Sequence, residues 1–383
     1  MRRKILFIPS WYPSETDPIS GIFIKEQAHA LATQNDVVVL IPGLSSWRES
    51  LQQKQLSTVD RSGPVAVYRE FARPLIPHGP ERIDYQTFAR AAHSGFKKVL
   101  DEFGKPDVIH SHVVLPAGYS ALKLAERYSI PIVHTEHSSP FSMHLDTEVK
   151  RELVKKTLTG LNQVVAISPA LAEQIKKFVP DLEMKIIGEL VSTEFFVPTT
   201  NGTSTHPLRF FVVARLAEQK GLSYLLRAVE LLKKTEARPF ELVLGGDGPD
   251  RADLERLAAE LGITDQCRFL GSLDRAGVKE WMNRSDVFVL SSLHETFGVV
   301  VGEAMACGKP VISTRCGGPE FVVTDETGVL VDVASAESLA GAMAEFLRGR
   351  VSFDAANIRR SVVERFGADA FLRNITAVYD AVS

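Results

Sequence analysis

Two carboxylates eight residues apart, Glu295 and Glu303, flank a short glycine-bearing turn, Thr296-Phe-Gly-Val299. Earlier in the chain, Arg215 and Lys220 stand together in Val213-Ala-Arg-Leu-Ala-Glu-Gln-Lys-Gly221. A pair of cations suits a diphosphate. A helix start suits one too, because its first N–H groups lack partners inside the helix and sit at the positive end of its dipole. Gly298 lets that backbone approach a ligand closely, and two carboxylates on either side can hold the hydroxyls of two different rings of one ligand. The spacing alone is weak evidence, since a solvated helix face offers similar glutamates and a surface loop similar cations. The elements around these residues decide.

The apolar run Val287 to Leu290 reads as a buried parallel strand, and Val311 with Ile312 reads as a second. Between them Val299 to Ala306 has helical composition, stopped by Gly308 and Pro310. Glu295 therefore falls just before a helix and Glu303 about one turn inside it. Arg215 and Lys220 fall after the strand Leu208–Val213 and before the helix Leu222–Lys234. The same alternation continues through strand Phe240–Leu244, turn Gly245-Gly-Asp-Gly-Pro249, helix Arg251–Leu261, strand Arg268–Leu270, helix Arg275–Asn283, strand Thr327–Val331 and helix Ala336–Leu347.

The first half has the same design. Strand Lys4–Ile8, a loop ending at Gly21, helix Ile22–Thr33 and strand Val37–Ile41 form a βαβ opening. Leu44–Gly63 is polar and weakly patterned, Phe71–Pro80 is a proline-rich surface loop, and Ile83–Phe103 is an amphipathic helix. Asp107–His112 and Ile132–His137 end two further strands on histidine clusters, at the edge where open α/β sheets place ligands. His110, His112, His134 and His137 could in principle hold a metal, but a histidine at a strand end is more often a hydrogen-bonded structural group. Ser168-Pro169 is a helix start with Ser as cap and Pro at the first position. The Thr-rich stretch Val197–Pro207 reads as a linker, and residues 369 to 382 as a last helix.

Taken together, Glu295-Thr-Phe-Gly-Val, Glu303-Ala-Met-Ala, Gly308-Lys-Pro-Val-Ile and Gly317-Gly-Pro-Glu320 resemble the donor-site signature of glycosyltransferase family 4. The resemblance extends through nearly the whole chain. It implies a GT-B fold: two Rossmann-like parallel-sheet α/β domains facing a central cleft. The domains expected are 1–198, which takes the acceptor, and 208–365, which takes the nucleotide sugar. A linker at 199–207 joins them, and a terminal helix at 366–383 returns to the first domain.

The resemblance also implies an activity, namely transfer of a sugar with retained configuration from a UDP- or GDP-sugar to a glycan or lipid-linked acceptor in cell-surface polysaccharide or glycolipid assembly. Arg215 and Lys220 then neutralise the leaving diphosphate. Glu295 holds the sugar hydroxyls and balances developing positive charge, and Glu303 binds the ribose. Phe297, Gly298, Val299 and Val300 supply backbone donors, Leu273 lies near the base, and Gly21 approaches the donor phosphates. The family pattern places a histidine at the position of His137, where an imidazole can donate to sugar hydroxyls and the leaving phosphate; His110 and His112 are further candidates. Where the family shows Pro-Asn-Gly before a Val-Asp pair this chain has Gly188-Glu-Leu-Val-Ser192, and no contact is assigned there.

Composition narrows the alternatives. A chain of 383 residues suits two domains rather than one core, and its hydrophobic content of 45% and charged content of 24% are ordinary for globular proteins. A net charge of −3 gives no reason to expect nucleic acid. Three cysteines without a Cys-x-x-Cys pair favour reduced thiols. No run reaches the roughly 20 apolar residues of a spanning helix, so the expected location is cytoplasmic, with peripheral contact at the inner face of the membrane left open. The first strand is not followed by Gly-x-Gly-x-x-Gly, which counts against a nicotinamide dehydrogenase. Asp-x-Asp is absent from the chain, so no metal cofactor is expected for diphosphate binding. Two other functions fit the same architecture: a sugar-nucleotide epimerase or hydrolase, and a catalytically silent partner subunit of another transferase.

Overall fold

A computed structural model describes residues 2–45, 56–74, 80–199 and 207–382. The expected linker at 199–207 and the proline-rich loop at 71–80 therefore lie partly outside the described residues. The chain forms two compact units, one of Met1–Leu190 with Phe371–Ser383 and one of Val191–Ala370. The division falls ahead of the Val197–Pro207 stretch for a local reason. Val191 donates its N–H to Phe366 O at 2.9 Å, and Arg359 donates to the carbonyls of Phe196 at 2.8 Å and Thr193 at 2.9 Å, which ties this segment to the second unit.

The N-terminal unit is built on an eight-stranded sheet in the order β3-β4-β2-β1-β5-β6-β7-β8. Its strands are β1 (Lys4–Pro9), β2 (Asp36–Leu44), β3 (Ser57–Asp60), β4 (Ala66–Ala72), β5 (Val108–His112), β6 (Ile132–Glu136), β7 (Gln163–Ala166) and β8 (Met184–Ile186). All pairs are parallel except β3 with β4. Among the described residues this stretch holds the α-helices α1 (Ile22–Ala32), α2 (Glu81–Phe103), α3 (Tyr119–Tyr128), α4 (Glu148–Gly160) and α5 (Pro169–Phe178). Leu6, Ile8, Leu40, Ala92, Phe96, Val99 and Ile109 join in one core that seats α2 on the sheet. The apolar spacing of α2 serves packing, as its alternation of buried and exposed turns requires. Ser168 caps α5 by accepting from Leu171 N–H at 3.2 Å, with Pro169 in the first turn.

The edge strand β3 lies in the stretch that reads as weakly patterned, and its neighbour β4, which pairs with both β3 and β2, runs into the start of the proline-rich loop. β3 alternates half-buried and exposed positions, but Val59 is its single apolar residue, so the alternation leaves no hydrophobic pattern in the sequence, and in β4 only Val67 and Tyr68 are buried. Edge strands pack on fewer neighbours, so their sequences are less constrained. Helix α4 buries Leu153, Val154, Thr157 and Leu158 along one face, a helical stripe in a stretch to which the sequence reading assigns no element.

The C-terminal unit holds a six-stranded, all-parallel sheet in the order β11-β10-β9-β12-β13-β14. Its elements in chain order are β9 (Leu208–Val213), α6 (Leu222–Thr235), β10 (Phe240–Gly245), α7 (Arg251–Glu260), β11 (Cys267–Gly271), α8 (Arg275–Arg284), β12 (Val287–Leu290), α9 (Val299–Ala306), β13 (Val311–Thr314), α10 (Pro319–Val322), β14 (Gly328–Val331), α11 (Ala336–Leu347) and α12 (Ala355–Phe366). The final helix α13 (Ala368–Val382) belongs from Phe371 onward to the N-terminal unit, where Tyr379 is fully buried. Cys267, Cys307 and Cys316 are free thiols.

Strand order predicts where each unit offers a site. In open parallel sheets, loops diverge at the strand where the order reverses, and a crevice opens beyond the carboxyl ends. In the C-terminal sheet that point lies between β9 and β12, so the loops after these two strands must approach each other. In the N-terminal sheet it lies between β1 and β5, where Pro9 pairs with His112.

Candidate active site

The loops after β9 and β12 do meet. Lys220 Nζ donates to Glu295 Oε1 at 2.6 Å, and Ser292 Oγ donates to the same oxygen at 2.8 Å. The join is also made through backbone: Leu293 N–H donates to Gln219 O at 2.8 Å, and Ser291 Oγ donates to Lys220 O at 2.9 Å. Gly221 sits at φ +60, and a Cβ there would lie 2.2 Å from Ser291 O, so only glycine permits this approach. The ion pair is partly buried, with side chains 20% and 13% exposed, so charge there is screened less than on an open surface.

Glu295 is fixed from its other side. Its N–H donates to Cys316 O at 3.1 Å, and its carbonyl accepts from Gly318 N–H at 2.8 Å. Gly318 is pressed against the turn so closely that a Cβ would fall 2.2 Å from Phe297 N. Phe297 itself is 2% exposed and packs edge-on against Phe366 and Phe321, so this side chain anchors the turn. Gly298 caps α9 in the left-handed region at φ 84. The first bond of that helix is Val301 N–H to Gly298 O at 2.9 Å, which leaves the amides of Gly298, Val299 and Val300 ahead of the ladder. Glu303 is half-buried in the second turn of α9.

The structure does not bring Arg215 into this cluster by any hydrogen bond among the described residues. Arg215 is exposed in the loop after β9, held there by its neighbours: Leu216 N–H donates to Asp247 O at 2.9 Å and Ala214 N–H to Gly245 O at 3.1 Å. The glycine-rich turn after β10 is what supports that loop, since a Cβ on Gly246 would lie 1.9 Å from Ala214 O. Leu273 is half-buried and rests against Gly245.

In the N-terminal unit, Gly21 caps α1 at φ 67, and a Cβ there would lie 2.4 Å from Trp11 O. Its requirement is thus a tight turn against the loop after β1. Phe23 of α1 lies with its ring centroid 5.0 Å from that of His137. His137 follows β6 in a loop organised by Glu136. That carboxylate accepts from the N–H groups of Val114, His137 and Ser138, each at 2.8 Å, and from Ser138 Oγ at 2.6 Å. His134 Nε2 lies 3.3 Å away. Burial opposes ionisation of Glu136, but the bond from His134, the charges of His144 and His134 and the Ser138 bond outweigh it, holding the carboxyl well below the usual carboxylate range.

His137 departs from the expectation in one respect. Both of its ring nitrogens are engaged inside the unit: Nδ1 lies 2.5 Å from Glu189 Oε1, and Nε2 lies 3.0 Å from His112 Nδ1. The ring is therefore not presented to a ligand as a donor in this arrangement. The reason is Glu189, in the very segment to which the sequence assigns no contact. Glu189 is 2% exposed, and its other oxygen accepts from Gln27 Nε2 at 2.7 Å. His110 and His134 are bonded inside the unit. His110 bridges Tyr379 Oη at 2.7 Å and Thr135 Oγ1 at 2.8 Å, and His134 meets Ser111 Oγ at 2.9 Å. Burial, then the neighbouring histidines, push both His110 and His112 well below the ordinary imidazole range. Among the described residues no group of three His, Cys, Asp or Glu side chains is arranged to hold a metal ion, and no helix is long and apolar enough to cross a membrane.

Comparison with known proteins agrees with this layout. The model "Glycosyl transferases group 1" matches residues 198–364, and "Glycosyltransferase Family 4" matches residues 20–195. The D-inositol 3-phosphate glycosyltransferase of Xylanimonas cellulosilytica is 31% identical over 312 residues, covering 71% of this chain and 71% of that protein. The lipopolysaccharide core biosynthesis glycosyltransferase LpsD of Rhizobium meliloti is 32% identical over 224 residues, 56% of this chain and 63% of that one. Among solved structures, that of Anabaena Alr3699/HepE in complex with UDP superposes with a TM-score of 0.75 at 17% identity, over 99% of this chain and 100% of the other. With a GT-B fold end to end and both family models matching in succession, the chain belongs to the family 4 (group 1) glycosyltransferases.

Proposed function

We propose that this glycosyltransferase moves a sugar from a UDP- or GDP-sugar to a glycan or lipid-linked acceptor, retains the anomeric configuration and needs no metal ion. The observation that carries the reading is Lys220 held on Glu295 at 2.6 Å, at the entrance to α9. A cation, a carboxylate and a run of unpaired amides at one helix start can serve a departing diphosphate and a developing oxocarbenium ion together. By their names one relative serves lipopolysaccharide core biosynthesis and another is a D-inositol 3-phosphate glycosyltransferase, and HepE is solved with UDP, UDP-glucose, and UDP with glucose.

In this reading Lys220 swings from Glu295 to the diphosphate when donor binds, and Arg215, exposed and unencumbered in its loop, closes on the same phosphates. Glu295, released, takes the sugar hydroxyls and balances positive charge at the anomeric carbon. The amides of Gly298, Val299 and Val300 donate to phosphate or sugar oxygens, Glu303 takes the ribose hydroxyls, and Leu273 lies along the base. The leaving phosphate accepts the acceptor's proton on the same face, so no covalent sugar–enzyme intermediate is required and positioning does most of the work. Positive charge from Lys220, Arg215 and the helix start takes the place of a divalent cation. The protein works in the cytoplasm, with peripheral contact at the inner face of the membrane for a lipid-linked acceptor.

The test separates turnover from binding. Glu295→Gln is expected to lower kcat by about a hundredfold or more, the scale seen when one preorganised group at a developing charge is removed. Its Kd for the nucleoside diphosphate should stay within about threefold of the parent or tighten. Equal losses in both would contradict the role given to Glu295.

A further inference from the structure

The buried string Gln27–Glu189–His137–His112 has an unusual property: it is fully bonded except at its ends. Gln27 Oε1 and His112 Nε2 are both buried without a hydrogen-bond partner, in residues that are 1% and 0% exposed. Orphaned buried polar atoms cost free energy and are rare unless a ligand, water or strain accounts for them. His112 is the last residue of β5 and pairs with Pro9 of β1, so its orphan nitrogen lies at the point of the N-terminal sheet where strand order reverses.

The string also has a direction. A carboxylate only accepts, so Glu189 requires the hydrogen of His137 on Nδ1. With the ring neutral, Nε2 of His137 must accept, and His112 must supply its hydrogen from Nδ1. His112 Nε2 is then left as a bare lone pair. We propose that Glu189 and Gln27 are positioning residues that fix the tautomers of His137 and His112, so that His112 Nε2 serves as a hydrogen-bond acceptor for a hydroxyl of the bound sugar substrate. The proposal rests on the glycosyl-transfer reading for the identity of that hydroxyl. Glu189 and His137 are 52 residues apart, so one carboxylate in the strand-end segment sets the chemistry of a histidine from another loop, as partners of metal-bound histidines do.

The experiment reads the tautomers and the rate separately. In uniformly 15N-histidine-labelled full-length protein without substrate, His137 and His112 should both appear as Nδ1–H tautomers. Glu189→Leu removes the acceptor, so His137 should revert to Nε2–H and drive His112 to the opposite tautomer. Glu189→Asp keeps an acceptor-only group and should preserve both tautomers. With a nucleotide sugar and acceptor, kcat of the Leu variant should fall about tenfold to a hundredfold while Kd for the nucleoside diphosphate moves less than threefold. The Asp variant should recover most of the rate. An Nε2–H or doubly protonated His137 in the parent protein would overturn the proposal without any variant being made. So would equal rate losses in the Leu and Asp variants. Absence of transfer by the parent protein would overturn the glycosyl-transfer reading instead, and is distinguishable because the ring tautomers are read with no substrate present.

Discussion

At the scale of single residues, the pair Lys220–Glu295 does two jobs that conflict. Without ligand each satisfies the other, and with donor each is expected to turn to a different group. Removing one partner exposes the conflict. Lys220→Ala should weaken nucleoside diphosphate binding by about 2 kcal/mol, roughly thirtyfold, in line with loss of a charge-assisted bond; titration calorimetry with UDP and GDP checks it, and a Kd within threefold of the parent would contradict the assignment. These residues are readable in the sequence because each follows an apolar strand and precedes a helix, so their position at a sheet edge is implied by pattern. Glu189 is not readable in that way. Nothing in the spacing of Gly188-Glu-Leu-Val-Ser192 points to a histidine 52 positions earlier. Its clue is compositional: a carboxylate followed at once by Leu190 and Val191, in a segment that ends a strand series. Arg215 illustrates the reverse case, a residue named by its neighbours in sequence yet left without a bonded partner among the described residues.

At the scale of elements, the site depends on glycines that let loops press together. Gly318 has an ordinary backbone conformation, but its missing side chain admits the Phe297 amide. Gly318→Ala should therefore cost about 1–3 kcal/mol of C-terminal unit stability through overpacking and displace Glu295, read as a lower unfolding midpoint together with reduced kcat. Unchanged values in both would show that the turn yields easily. Gly246 supports the Arg215 loop in the same manner. Such contacts are invisible in sequence, because Gly-Gly-Asp-Gly reads only as a turn. Strands β9, β10, β12 and β13 are legible because buried parallel strands give apolar runs, helices α6 and α11 because amphipathic helices give a regular stripe, and α9 because a short apolar segment is bounded by Gly298 and by Gly308 with Pro310. β3 and β4 are less so, β3 because it is a four-residue edge strand and β4 because only Val67 and Tyr68 of it are buried. α4 and α12 carry stripes at helical spacing, Leu153, Val154 and Leu158 in one and Ile358, Val362 and Phe366 in the other, though the sequence reading assigns no helix there.

At the scale of the whole molecule, two parallel sheets each offer one reversal of strand order, and the chemistry-bearing loops gather there: Lys220 with Glu295 in one unit, His112 with His137 in the other. A chain of this design should be stabilised by its donor. Nucleoside diphosphate at 100 times its Kd adds about 2.7 kcal/mol to the folded state, and the resulting shift in melting temperature should be the same with and without EDTA. A shift abolished by EDTA would contradict metal-independent binding. Family and fold are legible in the order of motifs, whereas the donor base, the sugar and the acceptor depend on pocket shape that no motif encodes. The most direct test of the account is proton NMR of the product formed from a nucleotide sugar, with and without acceptor, in EDTA. It predicts that the new glycosidic bond keeps the donor's anomeric configuration and that donor is consumed rapidly only when acceptor is present; an inverted product, or equal consumption of donor without acceptor, would contradict it.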